Sequence, residues 1–234
     1  MGDSYIYKNQ KKLRWGYTTG TCAAAASLAA AVMLLRGRRM EQVSLTTPKG
    51  VRLDLEVEEM ETGKNCVCCG VRKDAGDDPD VTDGLMVYSQ VRLPDADSGG
   101  AGDAREAGDA REAGDNTEAG DDRNDCGDYV YEKDGLRLIL SGGVGVGRVT
   151  QCGLSCEVGK AAINPVPRQM IFEQVAGVCR ESGFKGVLSI EIRVPEALKV
   201  ADKTFNSRLG IQGGISILGT SGMVEPMSET ALLD

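Results

Sequence analysis

The pattern of apolar and polar residues predicts two helices. An alanine-rich run over residues 23–35, closed by Gly37, is typical of a helix that packs closely against a neighbouring backbone. Thr19 or Thr21 stands where a side chain can cap the first amides of this helix. A second helix is predicted over residues 167–181, because proline is favoured at the first helical position and apolar residues then recur on one face.

Short apolar runs, several of them alternating with polar residues, predict strands between and after these helices. The predicted strands cover residues 42–46, 51–57, 67–72, 86–93, 136–140, 187–194 and 214–218. Strands and helices in this order predict an α+β body over residues 1–185 with an antiparallel or mixed sheet. Residues 186–234 number only 49, whereas a self-sufficient α/β domain needs on the order of 100 residues. We therefore expect them to be the beginning of an incomplete α/β domain.

The acidity of the chain belongs to one segment. The net charge is −8, yet residues 95–128 hold 12 acidic side chains and 3 arginines, and the remainder is nearly neutral. This segment contains the repeat AGDARE and no large apolar residue, which predicts a disordered insertion. A calcium-binding β-helix is the alternative, although that fold needs a nine-residue repeat with an apolar position. The near-neutral remainder argues against a nucleic-acid binder.

The composition restricts the available chemistry. The chain has no histidine, which excludes Ser-His-Asp and Cys-His nucleophile systems and metal sites built on imidazole. Eight cysteines are present, and alternation puts Cys66 and Cys68 on one strand face and Cys69 on the other. We expect buried, reduced thiols and no metal site; a zinc site completed by Cys152 and Cys156 is the alternative.

The N-terminal region superficially resembles a signal peptide. Basic residues precede the apolar run at 22–35, but a polar stretch separates them and arginines follow the run in place of a small-residue cleavage site. The run is also too short to span a bilayer. We interpret the protein as cytoplasmic.

Two polar segments near the N-terminal half are candidates for function. The loop at residues 14–22, which includes Thr18 and Thr19, enters a helix N-terminus, where free amides favour an anion; a simple capping loop is the alternative. Residues 73–84 hold five carboxylates, which repel one another unless amides, a cation or a proton compensates. Their spacing fails the EF-hand pattern, and a turn-rich surface loop is the alternative.

Two further segments follow in the C-terminal half. Alternating glycines at 142–147 suit an anion-binding nest, and Arg168 lies in the first turn of the predicted helix, where its charge opposes the helix dipole by up to about 1 kcal/mol. A bound carboxylate or phosphate explains that placement, and a local salt bridge is the alternative. A glycine turn at 219–222 follows a predicted strand and precedes the helix-start residues Pro226 and Ser228, an arrangement that offers amides to a nucleotide-like ligand.

Five ordered segments make the sequence recognisable. They are LRWGYTTGTCAAAA at 13–26, VRKDAGDDPDVTDG at 71–84, GGVGVGRVTQCGL at 142–154, AINPVPRQMI at 162–171 and KTFNSRLGIQGGISILGTSGMVEPMSE at 203–229. Together they resemble the cobalt-precorrin-5B C1-methyltransferase family of the anaerobic cobalamin pathway. The family often has His or Asn at the position of Asp83, and its members continue beyond residue 234 with a methyltransferase-like α/β arrangement.

The resemblance implies methyl transfer from S-adenosylmethionine to C1 of cobalt-precorrin-5B, giving cobalt-precorrin-6A, with cobalt present only in the substrate. The implied partners are the macrocycle and a missing C-terminal domain or a second copy of the chain, with no nucleic acid and no membrane. Two other functions stay open: a catalytically silent macrocycle-binding fragment, and a metal-binding protein that uses the acidic loop and the cysteines.

The resemblance also suggests roles for individual residues. The side chains expected to manage protons or to hydrogen-bond ring nitrogens are Asp74, Asp77, Asp78 and Asp80. Those expected to hold the carboxylate-fringed macrocycle are Thr18, Thr19, Lys73, Arg148, Asn164, Arg168, Lys203 and Arg208. The residues expected on the methyl-donor side are Gly219, Thr220, Ser221, Gly222 and Glu225, the last as a partner of ribose hydroxyls.

Overall fold

The computed structural model describes residues 5–8, 11–94, 127–204, 206 and 208–226. Two helices, α1 (Thr19–Arg36) and α2 (Pro165–Glu181), pack on one face of a mixed sheet. The strands in chain order are β1 (Tyr5–Lys8), β2 (Lys11–Arg14), β3 (Gly16–Tyr17), β4 (Gln42–Thr46), β5 (Arg52–Glu56), β6 (Glu58–Thr62), β7 (Cys66–Arg72), β8 (Met86–Arg92), β9 (Tyr129–Lys133), β10 (Leu136–Gly142), β11 (Gly145–Val146), β12 (Arg148–Val149), β13 (Gly186–Arg193), β14 (Ile211–Gln212), β15 (Gly214–Ile215) and β16 (Met223–Val224). Short 3₁₀ helices cover Pro195–Lys199 and Ala201–Lys203.

The central sheet has six strands in the order β6-β7-β8-β13-β10-β9. Its neighbours are antiparallel except β10 and β13, which run parallel from the Leu136–Gly186 pair to the Gly142–Ile192 pair. The alternating residues Leu188, Ile190 and Ile192 of β13 are fully buried. The mixed sheet is as predicted.

Strand β13 also corrects the domain boundary that the sequence predicts at residue 186. It lies in the middle of the sheet and pairs with β8 on one side and β10 on the other, so the chain after residue 185 shares the core of the preceding residues. The short pairs β11-β15, β12-β14 and β3-β16 join residues 211–224 to earlier parts of the chain in the same way. The described residues after 185 therefore do not form an α/β unit of their own.

Helix α1 confirms the alanine-rich prediction and begins four residues earlier. Its small side chains are almost all buried, and it ends at Gly37, whose φ of 61° is the left-handed conformation of a helix C-cap. The predicted caps were wrong: Thr18 is the N-cap and accepts a hydrogen bond from the Thr21 amide at 3.3 Å. Thr19 instead hydrogen-bonds the backbone of Leu218.

The length and apolar composition of α1 would allow it to cross a membrane, but 72% of that 18-residue window is buried inside the protein. Such burial is typical of a core helix. Its Ser27 hydroxyl donates to Ser89 of β8 at 2.8 Å, within the layer between helix and sheet.

The two helices lie side by side and parallel. At one end a Cβ on Gly20 would lie 2.6 Å from the Pro167 ring, and at the other end Arg36 forms an ion pair with Glu181 at 2.7 Å. Helix α2 begins at Pro165, two residues before the predicted start, with Asn164 as its N-cap. The N-termini of both helices therefore open toward the same loops.

The cysteines take the predicted strand faces. Cys69 packs toward α1, with its sulfur 3.6 Å from that of Met33, whereas Cys68 on the opposite face accepts a hydrogen bond from Arg193 at 3.2 Å. Burial raises the pKa of both Cys22 and Cys69 to about 12, so these thiols stay protonated at neutral pH. Across the described residues, no three Cys, Asp or Glu side chains are grouped so as to hold a metal ion.

Two predictions fall at the limits of the described chain. Residues 95–126, most of the predicted disordered insertion, lie outside the described residues. Of the strand predicted at 214–218, only Gly214–Ile215 is a strand, and a further strand, Met223–Val224, follows the glycine turn. The helix-start residue Ser228 lies outside the described residues.

Candidate functional site

Three segments meet beside the N-terminus of α1: the strand β3, the aspartate loop (residues 73–84) and the glycine turn (residues 219–222). The Tyr17 amide donates to the Asp74 carbonyl at 2.8 Å, and β3 pairs with β16 just after the glycine turn. Gly16 permits this approach, because a Cβ there would lie 2.2 Å from the carbonyl carbon of Ala75. These contacts bring together residues that are some 200 positions apart in the sequence.

The first half of the aspartate loop is held by Arg14. Its guanidinium forms a two-pronged ion pair with Asp74 at 2.5 and 2.8 Å, and its backbone amide donates to the Asp77 carboxylate at 2.6 Å. The hydrogen bond from Arg14 lowers the pKa of Asp74, against the effect of its partial burial. Asp78 forms part of the turn, with its amide 3.3 Å from the Ala75 carbonyl.

The second half of the loop closes over a buried lysine. Lys73, whose side chain is 2% exposed, forms an ion pair at 2.6 Å with Asp80, which is 27% exposed. Asp80 also accepts from the amide and hydroxyl of Thr82 at 2.8 and 2.7 Å, and Asp83 accepts from the Ala75 amide at 2.7 Å. Burial would raise the pKa of Asp80, but the hydrogen bonds from Lys73 and Thr82 lower it below its ordinary value.

The predicted acid–base residues thus have structural partners. The sequence left a turn-rich surface loop open as the alternative, and the geometry shows a loop that is folded by its own carboxylates. Their lowered pKa values keep Asp74 and Asp80 ionised at neutral pH, which suits them to accept hydrogen bonds and not to act as general acids.

An acidic cleft of about 420 Å³ lies between the aspartate loop and β5. Its walls include four carboxylates and two cations, and the lining residues are Tyr17, Leu55, Glu56, Glu58, Arg72, Lys73, Asp74, Asp83 and Gly84. The Tyr17 hydroxyl donates to the Arg72 carbonyl at 3.0 Å, and burial raises the pKa of this phenol well above its ordinary value. The cleft therefore offers hydrogen-bond acceptors and a neutral phenol.

The glycine turn presents carbonyls to helix α1. The Gly222 carbonyl accepts from the Thr18 amide at 3.2 Å and from the Thr21 hydroxyl at 2.7 Å, and the Leu218 carbonyl accepts from the Gly20 amide at 3.0 Å. The helix N-terminus predicted to bind an anion is therefore capped by the protein's own carbonyls. Of the other predicted donor-side residues, Gly219 packs on the Thr18 side chain, Ser221 hydrogen-bonds the Met223 backbone, and Thr220 and Glu225 are exposed.

The glycine-rich segment at 142–147 also serves close packing. The amides of Gly143 and Gly147 donate to the carbonyls of Ile192 and Ile215 at 2.8 and 2.9 Å, so they are not free to form a nest. Gly145 has a φ of 78°, and a Cβ there would lie 1.8 Å from the Val194 carbonyl oxygen. The motif brings β10, β11 and β15 against the end of β13.

A second polar cluster forms around Asp128, whose side chain is 7% exposed. Its carboxylate forms an ion pair with Arg148 and accepts from the amides of Gly142 and Ala161, both at 3.1 Å. Arg148 also donates to the Gly159 carbonyl at 3.1 Å. The predicted substrate residue Arg148 is therefore engaged by several acceptors of its own chain.

Arg168 has a different environment. Its guanidinium carbon lies 4.0 Å from the ring centre of Tyr129, and within the described ranges no carboxylate forms an ion pair with it. The local salt bridge that the sequence left open is thus not seen among the described residues. Asn164, four residues earlier, makes no side-chain cap, and its amide oxygen lies 3.6 Å from the sulfur of Cys156.

The remaining predicted cations lie on the segment that leads into β14. Lys203 ends the second 3₁₀ helix and is exposed, and Arg208 is exposed in the turn that follows. Asn206 fixes this segment, since its side chain accepts a hydrogen bond from Ser216 at 2.9 Å.

Sequence reasoning assigned no individual role to several residues that build these sites, although some of them lie in segments that it selected. They are Arg14, Tyr17, Glu56, Glu58, Asp83, Asp128 and Tyr129. Arg14 and Asp83 lie inside the recognised motifs, which was a usable signal. Asp128 could not be recognised as a site residue from the sequence, because it is the last of the 12 acidic residues in the acidic segment.

Comparison with known protein families identifies the family to which this chain belongs. The model of the CbiD family matches residues 6–226. The chain therefore belongs to the CbiD family, which confirms the resemblance seen in its motifs.

Individual relatives agree with this assignment. The cobalt-precorrin-5B C(1)-methyltransferase of Ruminiclostridium cellulolyticum is 45% identical over 232 residues, which cover 99% of this chain and 50% of the relative. The protein of the same name from Thermoanaerobacter sp. is 48% identical over 228 residues, or 97% of this chain and 51% of the relative. The chain thus spans about half the length of the curated relatives it matches.

A solved structure also matches the fold. The 1.9 Å crystal structure of a cobalamin biosynthesis protein (cbiD) from Archaeoglobus fulgidus superposes with a TM-score of 0.61 at 31% identity. The match covers 98% of this chain and 60% of the other.

Proposed function

We propose that this protein takes part in anaerobic cobalamin biosynthesis in the cytoplasm as a methyltransferase. The proposed reaction transfers the methyl group of S-adenosylmethionine to C1 of cobalt-precorrin-5B and gives cobalt-precorrin-6A. The observation that carries the proposal is the 45% identity, over 99% of the chain, to a relative named for this activity. Cobalt enters only as part of the substrate.

The proposed chemistry is a direct displacement. The electron pair of the ring carbon forms the new carbon–carbon bond while the sulfur–methyl bond breaks, and its electron pair stays on the sulfur of S-adenosylhomocysteine. Such a step needs the two reactants aligned and water excluded, and it needs no covalent enzyme intermediate. The protein's part is therefore to bind and to orient.

The positive groups proposed to hold the macrocycle are Lys73, Arg148, Arg168, Lys203 and Arg208, with Thr18, Thr19 and Asn164 as polar neighbours. Arg168 is the strongest member, because its guanidinium lies over the Tyr129 ring and has no carboxylate partner among the described residues. Thr18, Thr19 and Lys73 are nearly buried and hydrogen-bonded within the protein, so they would support macrocycle binding indirectly, through the loops that they hold beside the site.

The aspartates proposed to act on the macrocycle are Asp74, Asp77, Asp78 and Asp80. The lowered pKa values of Asp74 and Asp80 support a role as ionised acceptors for ring N–H groups. The groups proposed for the methyl donor are Gly219, Thr220, Ser221, Gly222 and Glu225. The exposure of Thr220 and Glu225 is compatible with ligand binding at the outer side of the glycine turn.

Calorimetric titration with S-adenosylhomocysteine, the demethylated donor, tests the donor side. We expect saturable binding, and we expect Glu225→Gln to raise the dissociation constant about tenfold, since a carboxylate that holds ribose hydroxyls makes charge-assisted hydrogen bonds. Glu61→Gln, which changes another exposed carboxylate, on β6, is the matched control and should bind as the unaltered chain does. An unchanged constant in Glu225→Gln would remove this residue from the donor site.

A further inference from the structure

We infer that Asp128 and Tyr129 position the guanidinium of Arg168 to receive a carboxylate of the corrinoid substrate. Asp128 and Tyr129 are positioning residues here, and Arg168 is the group that contacts the ligand. The inference rests on the proposed function, because it takes its ligand from the carboxylate-bearing macrocycle.

Asp128 and Tyr129 are both anchored to the backbone of Ala161. Asp128 accepts a hydrogen bond from the amide of Ala161 at 3.1 Å, and the Tyr129 hydroxyl donates to the carbonyl of the same residue at 2.7 Å. Both side chains are nearly buried, with 7% of the Asp128 side chain and 7% of Tyr129 exposed. The two side chains therefore bind the amide and the carbonyl of Ala161, which fixes the start of β9 against the segment that leads into α2.

The Tyr129 ring supports the side chain of Arg168. The guanidinium carbon lies 4.0 Å from the ring centre, a distance at which a cation is attracted to the aromatic face. Burial raises the pKa of Tyr129, so the phenol stays neutral, and its hydroxyl bond to Ala161 holds the ring in place. A guanidinium held over an aromatic face can still direct N–H donors outward from the ring to an anion.

The two arginines near Asp128 have different partners. Arg148 donates to Asp128 and to the Gly159 carbonyl, so its charge is already neutralised within the cluster. Lys160, which also lies 5.4 Å from the Tyr129 ring, forms an ion pair with Glu157 at 2.9 Å. Arg168 thus remains the cation of this cluster without a carboxylate partner, as far as the described residues extend.

A planar carboxylate fits this arrangement. Arginine presents two parallel N–H donors that match the two oxygens of a carboxylate, and the position near the start of α2 leaves the charge uncompensated by the helix dipole. The peripheral acetate and propionate groups of a precorrin are carboxylates of this kind.

The experiment compares two corrins with the same ring, one with charged peripheral groups and one with these groups neutralised as methyl esters. Cobyrinic acid carries free carboxylates, and its heptamethyl ester carries none; each is titrated into the chain and followed by its visible absorbance. The variants are Arg168→Ala, Arg168→Lys, Tyr129→Leu and the double variant Arg168→Ala with Tyr129→Leu. Arg180→Ala removes the same charge from the other end of α2 and is the matched control.

We expect Arg168→Ala to weaken binding of cobyrinic acid about tenfold or more and to leave binding of the ester unchanged. The control Arg180→Ala should bind both corrins as the unaltered chain does. Arg168→Lys should give an intermediate constant, because the charge remains but the planar fork is lost. Tyr129→Leu should weaken binding of the acid only while Arg168 is present, so that the double variant equals Arg168→Ala. A purely structural Tyr129 would instead add its own loss to the double variant.

Three results would contradict the inference. Equal loss for acid and ester in Arg168→Ala would show that no carboxylate is recognised there. Unchanged affinity of Arg168→Ala and Arg168→Lys for cobyrinic acid would show that Arg168 does not bind the ligand, and the proposed function would still stand. This result does not depend on whether Tyr129→Leu folds. Failure of the unaltered chain to bind either corrin would overturn the proposed function and this inference with it.

Discussion

Replacing Asp80 by Asn is expected to lower the free energy of unfolding by about 3 kcal/mol, because it leaves a buried ammonium group without its counter-charge. The Lys73 side chain is 2% exposed and is 2.6 Å from Asp80. Asn keeps the shape and the hydrogen bonds with Thr82, so the change isolates the charge. Urea denaturation followed by circular dichroism measures the effect.

The matched control for this prediction removes both charges. The double variant Lys73→Met with Asp80→Asn should recover most of the loss, since an apolar side chain of similar length does not suffer from burial without a partner. A stability of the single Asp80→Asn variant within about 0.5 kcal/mol of the unaltered protein would show that the Lys73 charge does not depend on Asp80 for its compensation.

The pH dependence follows from the same pair. The pKa of Asp80 is lower in the folded protein than in the unfolded chain, where the pKa of an aspartate is about 3.9. The stabilisation is therefore fully present above that pH and is lost as the pH falls through the lower, folded value. The difference in stability between the unaltered protein and Asp80→Asn should shrink in acid and be constant between about pH 5 and 8.

Replacing Gly145 by Ala should destabilise the protein by about 3 kcal/mol or more. The new Cβ would lie 1.8 Å from the Val194 carbonyl oxygen, and the residue has a φ of 78° that a side chain rarely adopts. The conformational strain alone costs about 1–2 kcal/mol, and relief of the clash requires movement of backbone at the end of β13.

Gly50→Ala separates the two contributions. Gly50 has a similar φ of 82°, but nothing lies within 4 Å of a Cβ placed there. We expect it to lose about 1–2 kcal/mol, which is the strain without the clash. Thermal or urea unfolding of both variants makes the comparison, and equal losses would mean that the glycine-rich segment is not as tightly packed as the structure shows.

Local sequence patterns predicted the elements whose stability is local. Helix α1 follows from its alanines and Gly37, and β4 was predicted at the same residues that the structure gives, because its alternation shows one buried face. Strand β9 was missed, since it directly follows the long acidic segment and only three of its five residues are apolar or aromatic. The two-residue strands β3 and β16 exist only because distant segments meet, which no local pattern shows.

The candidate site was predicted only in part, because local motifs show which residues are present and not how distant segments meet. Motifs indicated the aspartate loop, Arg148 and Arg168, and the structure describes them all. They did not show the direction in which backbone groups face: the glycine turn presents carbonyls to α1, and the amides of Gly143 and Gly147 are used within the fold. Nor did they show that Asp128, at the end of the acidic segment, turns inward to Arg148.

An isotope-transfer assay tests the central claim most directly. The chain is incubated with cobalt-precorrin-5B and S-adenosylmethionine carrying a ¹³C-labelled methyl group, and the products are analysed by NMR and mass spectrometry. The proposed function predicts one label at C1 of the macrocycle for each S-adenosylhomocysteine formed, and none when the macrocycle is omitted. An unlabelled macrocycle, with both ligands shown to be bound, would contradict it.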